Sequence, residues 1–420
     1  MIQDKLIILP FVILLLSLAL FPVVYPKWWH RNYPKLSISL AVIVIIYYLF
    51  STDGIPKLTH AIEDYISFIA LLFSLFVVSG GIYIKTRGKS TPFRNVILLA
   101  IGSAISNLFG TTGASMLLIR PYLESNKYRI RPFHVIFFIF LIGNIGGSLT
   151  PIGDPPLLLG FIKGVPFFWV FEHLIIVWLF TIAALMLVFW VFDFINYKKV
   201  SSSLQHDIDE EGEKVRVRGY KNLFLLIIII GAVLLREPKF LREIIMLATA
   251  IVSYKTTSKE IHERNHFNFE PIKEVAYLFF GIFVTMIPAL TYMSENSKAL
   301  GLDNLNSVFW YSGILTSFLD NAPTYMNFLT GSMGTYGLLI NSAQDVLKFS
   351  AEYPEFLKTI SISSVFFGAM TYIGNAPNFM IKSIAEHKGV KMPGFFEYMY
   401  KYSLIILLPL FFFVWVIFIK

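Results

Sequence analysis

The chain has 420 residues, 56% hydrophobic and 15% charged, where a soluble domain carries ~45–50% and ~25%. That balance excludes a water-soluble globule and predicts an all-α polytopic membrane protein. Cysteine is absent, which excludes disulfides, thiol nucleophiles and Cys-based metal centres; the formal charge of +8 is expected in cytoplasmic loops, with no basic domain for nucleic acid.

The first apolar run spans Leu6 to Tyr25. Only Lys5 against Asp4 precedes it and no small-residue cleavage site follows, so a membrane helix is expected in 1–35 rather than a signal peptide. Further runs lie at 36–50, 61–84, 133–160, 172–192, 222–235, 240–254, 275–293, 359–385 and 402–419. Lys27, Arg31 and Lys35 mark a basic, cytoplasmic loop. Two more basic loops, 85–94 and 120–131, flank the apolar stretch 95–119, which must then enter and leave on one side. This predicts a re-entrant hairpin turning at Ser106, Asn107, Gly110, Thr111, Thr112 and Gly113. A cytoplasmic linker is expected over 196–221. Loops 294–304 and 341–358 read as external, so 305–340 forms a second hairpin, with Asp320, Asn321, Pro323 and Thr324 at its middle. Loop 387–401 is basic again. Ten crossings, two hairpins and external termini are expected.

Two short strings match: Thr150-Pro-Ile-Gly-Asp154-Pro-Pro156 and Thr371-Tyr-Ile-Gly-Asn375-Ala-Pro377. Each follows one hairpin and interrupts a helix, over 133–160 and 359–386, because proline removes a donor and clashes with the preceding turn. The reading is two inverted repeats, 36–195 and 222–420, with polar breaks at mid-depth, the pattern of a secondary transporter. Freed carbonyls and the oxygens of Ser106, Asn107, Thr111, Thr112, Thr150, Asp154, Asp320, Asn321, Thr324, Thr371 and Asn375 suit a hard cation such as Na⁺. Asp154, Asp320, Asn107 and Asn321 are the expected metal ligands. Each mid-membrane carboxylate costs ~2.5–3.5 kcal/mol, a cost that protonation or a bound cation lowers. Asp154 and Asp320 also stand where helix N-caps would, and Thr111 and Thr112 where a turn needs hydroxyls.

Two further strings resemble enzyme motifs. Gly88-Lys89-Ser90 resembles the tail of a P-loop, but Tyr83 occupies the position of the required glycine. His262-Glu263-Arg264-Asn265-His266 is an H-E-x-x-H string, which on a helix would hold zinc with Glu263 as base; it lies in a short basic loop, so a membrane protease is a minor alternative. Arg120 reads as a topology determinant or a partner for an anionic substrate, and Phe167-Phe168-Trp169 as an interfacial belt.

Ser106-Asn107, Thr111 to Ala114 and the run Gly143 to Pro156 resemble the ion transporter superfamily, within it the branch of D-type sodium/proton antiporters and citrate transporters. The resemblance covers residues 30–420. It implies scaffold helices around a moving transport domain, dimerisation through the scaffold, and a multi-pass protein of the bacterial inner membrane. It places the first hairpin's signature on Ser106, Asn107 and Thr111 and the second on Asp320, Asn321 and Thr324. Asp320 stands where the carboxylate carriers have serine, which favours a cation as cargo. A sodium/proton antiporter is therefore the leading expectation and a Na⁺- or H⁺-coupled citrate or dicarboxylate carrier the alternative. No cofactor beyond the transported ions is expected. An arsenite carrier would lack a thiol to recognise its cargo.

Overall fold

The computed structural model describes residues 6–87, 90–200, 214–235 and 237–420. Gly88 and Lys89 of the P-loop-like string, and 201–213 of the linker, lie outside the described residues.

Helix α1 is Leu9–Val24 and α2 is Pro26–Leu49. The basic stretch read as a loop is the opening of α2, since Pro26 sits in the first turn, where its missing N–H costs nothing. The boundary read at residue 35 therefore falls inside a helix. Next come α3 (Gly54–Gly80), strand β1 (Tyr83–Arg87), α4 (Pro92–Ser125), α5 (Pro132–Leu141), α6 (Pro155–Lys163) and α7 (Trp169–Lys198). Strand β2 (Lys214–Arg218) leads to α8 (Lys221–Val233), α9 (Leu241–Thr256), α10 (Lys259–Arg264) and α11 (Glu270–Glu295). Then follow α12 (Leu305–Phe318), α13 (Asn321–Thr335), α14 (Ala343–Glu352), α15 (Pro354–Phe366), α16 (Ala376–His387) and α17 (Phe395–Phe418).

The fold is a polytopic helical membrane protein. Among the described residues, α2, α3, α4, α7, α11 and α17 are long and apolar enough to cross a bilayer. Leu9–Pro22, Pro132–Gly147 and Lys221–Val233 are shorter apolar helical stretches. The all-helical expectation needs one correction: β1 and β2 pair antiparallel, Tyr83 opposite Arg218 and Arg87 opposite Lys214. The ladder satisfies backbone groups of two segments read as loops.

Helix α4 folds back on itself. Gly110 takes φ 73 and ψ 155, outside any helix. The Ser90 amide donates to the Ser125 carbonyl at 3.0 Å, so the far ends of the two arms meet. Helices α12 and α13 form the second such pair, turning at Leu319 and Asp320; a Cβ added to Gly331 would lie 2.3 Å from the Leu302 side chain. We expect Gly110→Ala to lower stability by ~1–3 kcal/mol, because an L side chain is strained at that φ and ψ. Thermal unfolding in detergent measures it.

The first break is sheathed by protein. Every residue of α5 from Phe133 to Leu141 is buried, so a helix apolar on all sides packs among other helices rather than in lipid. Its mate α15 is buried from Thr359 to Phe366. Non-helical backbone is tolerated at such depth only behind this kind of shield.

A buried polar knot ties the base of α4 to α7. Asp193 accepts from Arg129, from His134 Nε2 at 2.9 Å and from Asn95 Nδ2 at 2.7 Å. The Arg131 amide lies 3.1 Å from His134 Nδ1, which accepts there when the ring proton is on Nε2. Arg129, in the basic stretch 120–131, is 5% exposed and also donates to the Ser90 carbonyl at 2.8 Å. Arg129→Met strands a buried carboxylate, and we expect ~3–5 kcal/mol of destabilisation by chemical denaturation.

Candidate functional site

The two matched strings fold alike. Thr150 Oγ1 donates to the Asn107 carbonyl at 2.6 Å and accepts from the Gly153 amide at 3.1 Å. Thr371 Oγ1 donates to the Ser317 carbonyl at 2.5 Å and accepts from the Gly374 amide at 3.1 Å. In each string the threonine staples the break to the nearby hairpin and shapes the turn before the next half-helix. The residues ending the two turns, Asp154 and Asn375, are both extended, at φ −142 and φ −150. Glycine pairs repeat the correspondence. A Cβ on Gly147 would lie 2.5 Å from Thr111 Cγ2, and one on Gly368 2.2 Å from Asn321 Oδ1. Thr111 and Asn321 therefore occupy matching places, as do Asn107 and Ser317.

These elements converge on one carboxylate. Asp154 Oδ1 accepts from Thr111 Oγ1 at 2.8 Å and from Asn375 Nδ2 at 3.1 Å; Oδ2 accepts from Asn321 Nδ2 at 2.9 Å. Thr111 comes from the turn of α4, Asn321 from the start of α13, Asp154 from the first break and Asn375 from the second. Asp154, Thr111 and Asn375 are each 1% exposed and Asn321 0%. All three donors are neutral. Among the described residues, no Lys, Arg or His pairs with Asp154. Thr316 Oγ1 lies 3.0 Å from Asn321 Oδ1 and 3.1 Å from the Ser364 carbonyl; with its proton toward Asn321, the Asn321 NH₂ faces Asp154.

The two acidic residues divide their roles. Asp320 Oδ1 accepts from the Ala322 amide at 3.0 Å, so Asp320 caps α13. Asp154 stands at the cap position of α6, yet its side chain makes no cap bond. Helix α6 begins Pro155-Pro156, so its first two residues offer no N–H to an anion. The buried carboxylate is thus aimed at the breaks and free to share its oxygens with a cation.

The other expected site residues support this shell. Asn107 Nδ2 donates to the Gly146 carbonyl at 2.7 Å, and its Oδ1 accepts from the Leu149 amide at 2.8 Å, bracing the first break. Ser106 Oγ donates to the Ile142 carbonyl at 3.0 Å. Thr324 Oγ1 donates to the Asp320 carbonyl at 3.1 Å. Thr112 is half-buried and outside the cluster. Neither Asn107 nor Asp320 hydrogen-bonds Asp154, whose partners are Thr111, Asn321 and Asn375.

Sequence reasoning overlooked Asn144, Asn378, Thr316 and Ser317. Asn144 Oδ1 accepts from Asn375 Nδ2 at 3.2 Å and Asn144 Nδ2 donates to Asn378 Oδ1 at 2.7 Å. Asn378 Nδ2 in turn donates to the Gly368 and Thr371 carbonyls at 2.8 and 2.9 Å. A chain of amides thus links the second break to Asp154. The local signal was there: Asn144 lies inside the run Gly143 to Pro156, and Asn378 follows Asn375-Ala-Pro directly.

Arg120 lies within α4 beyond its turn, half-buried and without an ion pair among the described residues. Lys163, the last residue of α6, meets Asp64 of α3 at 2.5 Å. The zinc expectation fails on geometry. Helix α10 ends at Arg264 and His266 takes φ 47, so the two imidazoles do not share a helix face. The His262 ring lies against Tyr254 and Phe267, with centroids 5.1 and 5.0 Å away. No cluster of three or more His, Cys, Asp or Glu suited to a metal exists among the described residues.

A protein family described as "Putative citrate transport" matches residues 3–419. No curated protein matches the chain.

Proposed function

Because the chain belongs to the family described as "Putative citrate transport", we propose that this transporter carries a citrate-class carboxylate coupled to a monovalent cation held at Asp154. The observation that carries the reading is the convergence of Thr111, Asn321 and Asn375 on one buried carboxylate with no cationic partner among the described residues. A lone charge at such depth is costly, and an arriving H⁺ or Na⁺ removes the cost. Oxygen ligands suit Na⁺, and the carbonyls of the two breaks add to the shell. In this reading α4 and the pair α12–α13 are re-entrant hairpins of two inverted repeats. Together with the broken segments they form a transport unit, whose Asp154 shell fills or empties as it faces either side. Lys163, partly shielded, supplies positive charge for the carboxylate outside that shell. A homodimer in a bacterial inner membrane rests on the family resemblance.

A second reading, sodium/proton antiport, has its own support: Asp320 adds an acidic group one residue from Asn321, and Pro155-Pro156 deny an anion the amides at the start of α6. Proteoliposomes separate the two. Uptake of labelled citrate driven by an inward Na⁺ or H⁺ gradient supports the carrier. Na⁺-driven proton movement without citrate uptake supports the antiporter.

A further inference from the structure

Between α3 and α11 on one side and α6 and α13 on the other lies a cavity of about 340 Å³, separate from the Asp154 shell. Its volume is within the range of small-ligand sites. Lys57, Asp64, Lys163, Thr330 and Asn341 line it. We infer that this cavity is a carboxylate-binding antechamber, in which the Lys163 ammonium and the Thr330 hydroxyl hold an incoming substrate before it reaches the central site.

Two observations carry the inference, which rests on the carboxylate reading above. Thr330 is 3% exposed, lines the cavity, and its Oγ1 has no hydrogen-bond partner among the described residues. A buried hydroxyl without a partner is costly, so a ligand oxygen there is favoured. Lys163 Nζ spends one donor on Asp64 at 2.5 Å and one on Asn341 Oδ1 at 2.9 Å; an ammonium has three, so one remains for a ligand without breaking the ion pair. Finally, the half-buried charged groups are Lys57, Lys163 and Asp64, with one positive charge in excess, while Glu295 and His60 stand exposed at the rim. With the exposed Glu295 counted the lining is neutral, so the preference for an anion rests on the spare Lys163 donor and the Thr330 hydroxyl. The walls also carry the path inward: Lys163 ends the same helix that starts beside Asp154, and Thr330 lies on the helix that starts at Asn321. The exposed lining residues Glu295 and Asn341 belong to loops 294–304 and 341–358, read as external from their charge.

The test is citrate binding to the full-length chain in detergent by calorimetry, paired with the KM for citrate uptake in proteoliposomes. Lys163→Gln is expected to weaken binding and raise KM about tenfold, and Thr330→Val about threefold. Lys163→Arg is expected to retain most of the affinity. Thr330→Val removes a hydroxyl that has no partner, so its melting temperature should match or exceed that of the wild type; this keeps the test valid if the Lys163 variant folds poorly. Wild-type citrate uptake with unchanged affinity and KM in both variants overturns the antechamber and leaves the carrier reading standing. Lys163-dependent citrate binding without any uptake supports a carboxylate site in this cavity but overturns the carrier, and with it the cavity's role as an antechamber. A wild type that neither binds nor carries citrate overturns both.

Discussion

Asp154→Asn is expected to abolish cation-driven transport in proteoliposomes while the protein remains folded. The two consequences have different physical sources. The amide keeps one acceptor oxygen, but its NH₂ must face Asn321, Asn375 or Thr111, which all donate in the wild type. Leaving a buried donor unpaired costs ~1–3 kcal/mol. Against this, the substitution removes a buried charge that costs ~2.5–3.5 kcal/mol at the centre of a membrane helix. The terms offset, so the melting temperature should change little. The charge that attracts the coupling cation is lost outright, and transport should fall below detection. Asn321→Ala and Asn375→Ala keep that charge and remove one donor each; they should slow transport without abolishing it. Full cation-driven transport by Asp154→Asn would show that the buried carboxylate is not the coupling site.

Gly153→Ala is expected to disrupt the site as severely, through packing alone. A Cβ there would lie 2.0 Å from the Gly147 carbonyl oxygen. That neighbour is backbone, so no side chain can swing away, and overpacking of this kind costs ~1–3 kcal/mol or more. Gly147 in turn sits against Thr111, so the displacement reaches the hydroxyl that bonds Asp154. Transport and melting temperature should fall together. Gly374→Ala, 2.6 Å from the Gly368 carbonyl oxygen, should act likewise from the second half. Gly231→Ala is the control, since a Cβ there meets nothing within 4 Å. A Gly153→Ala protein with wild-type transport and stability would contradict the tight approach of the two turns.

The breaks were legible because their punctuation is local. Gly-Asp-Pro-Pro and Gly-Asn-Ala-Pro stop a helix whatever surrounds them, and the structure breaks there. The composition of 95–119 and 305–340 likewise suggested turns, and the chain leaves the helical conformation at Gly110 and at Leu319–Asp320. What no local signal carries is the pairing across the chain. That Asp154 meets Asn321 and Asn375, while Asp320 turns back to cap its own helix, depends on how distant segments pack. The same holds for Arg129, which stands in the basic stretch 120–131 and is buried beside Asp193. The β1–β2 ladder joins segments far apart in sequence, and a proline at the start of α2 was compatible with either a loop or a helix. The His262 string shows the reverse error: spacing alone suggested a metal site, and the end of α10 removes it.

The central claim is that one buried carboxylate couples cation flow to carboxylate transport. Its most direct test records internal pH and labelled citrate in the same proteoliposomes while inward Na⁺ and H⁺ gradients are imposed in turn. The account predicts citrate accumulation against its own gradient under at least one of these, in wild type and not in Asp154→Asn. Accumulation that ignores both gradients, or that persists in Asp154→Asn, would contradict it.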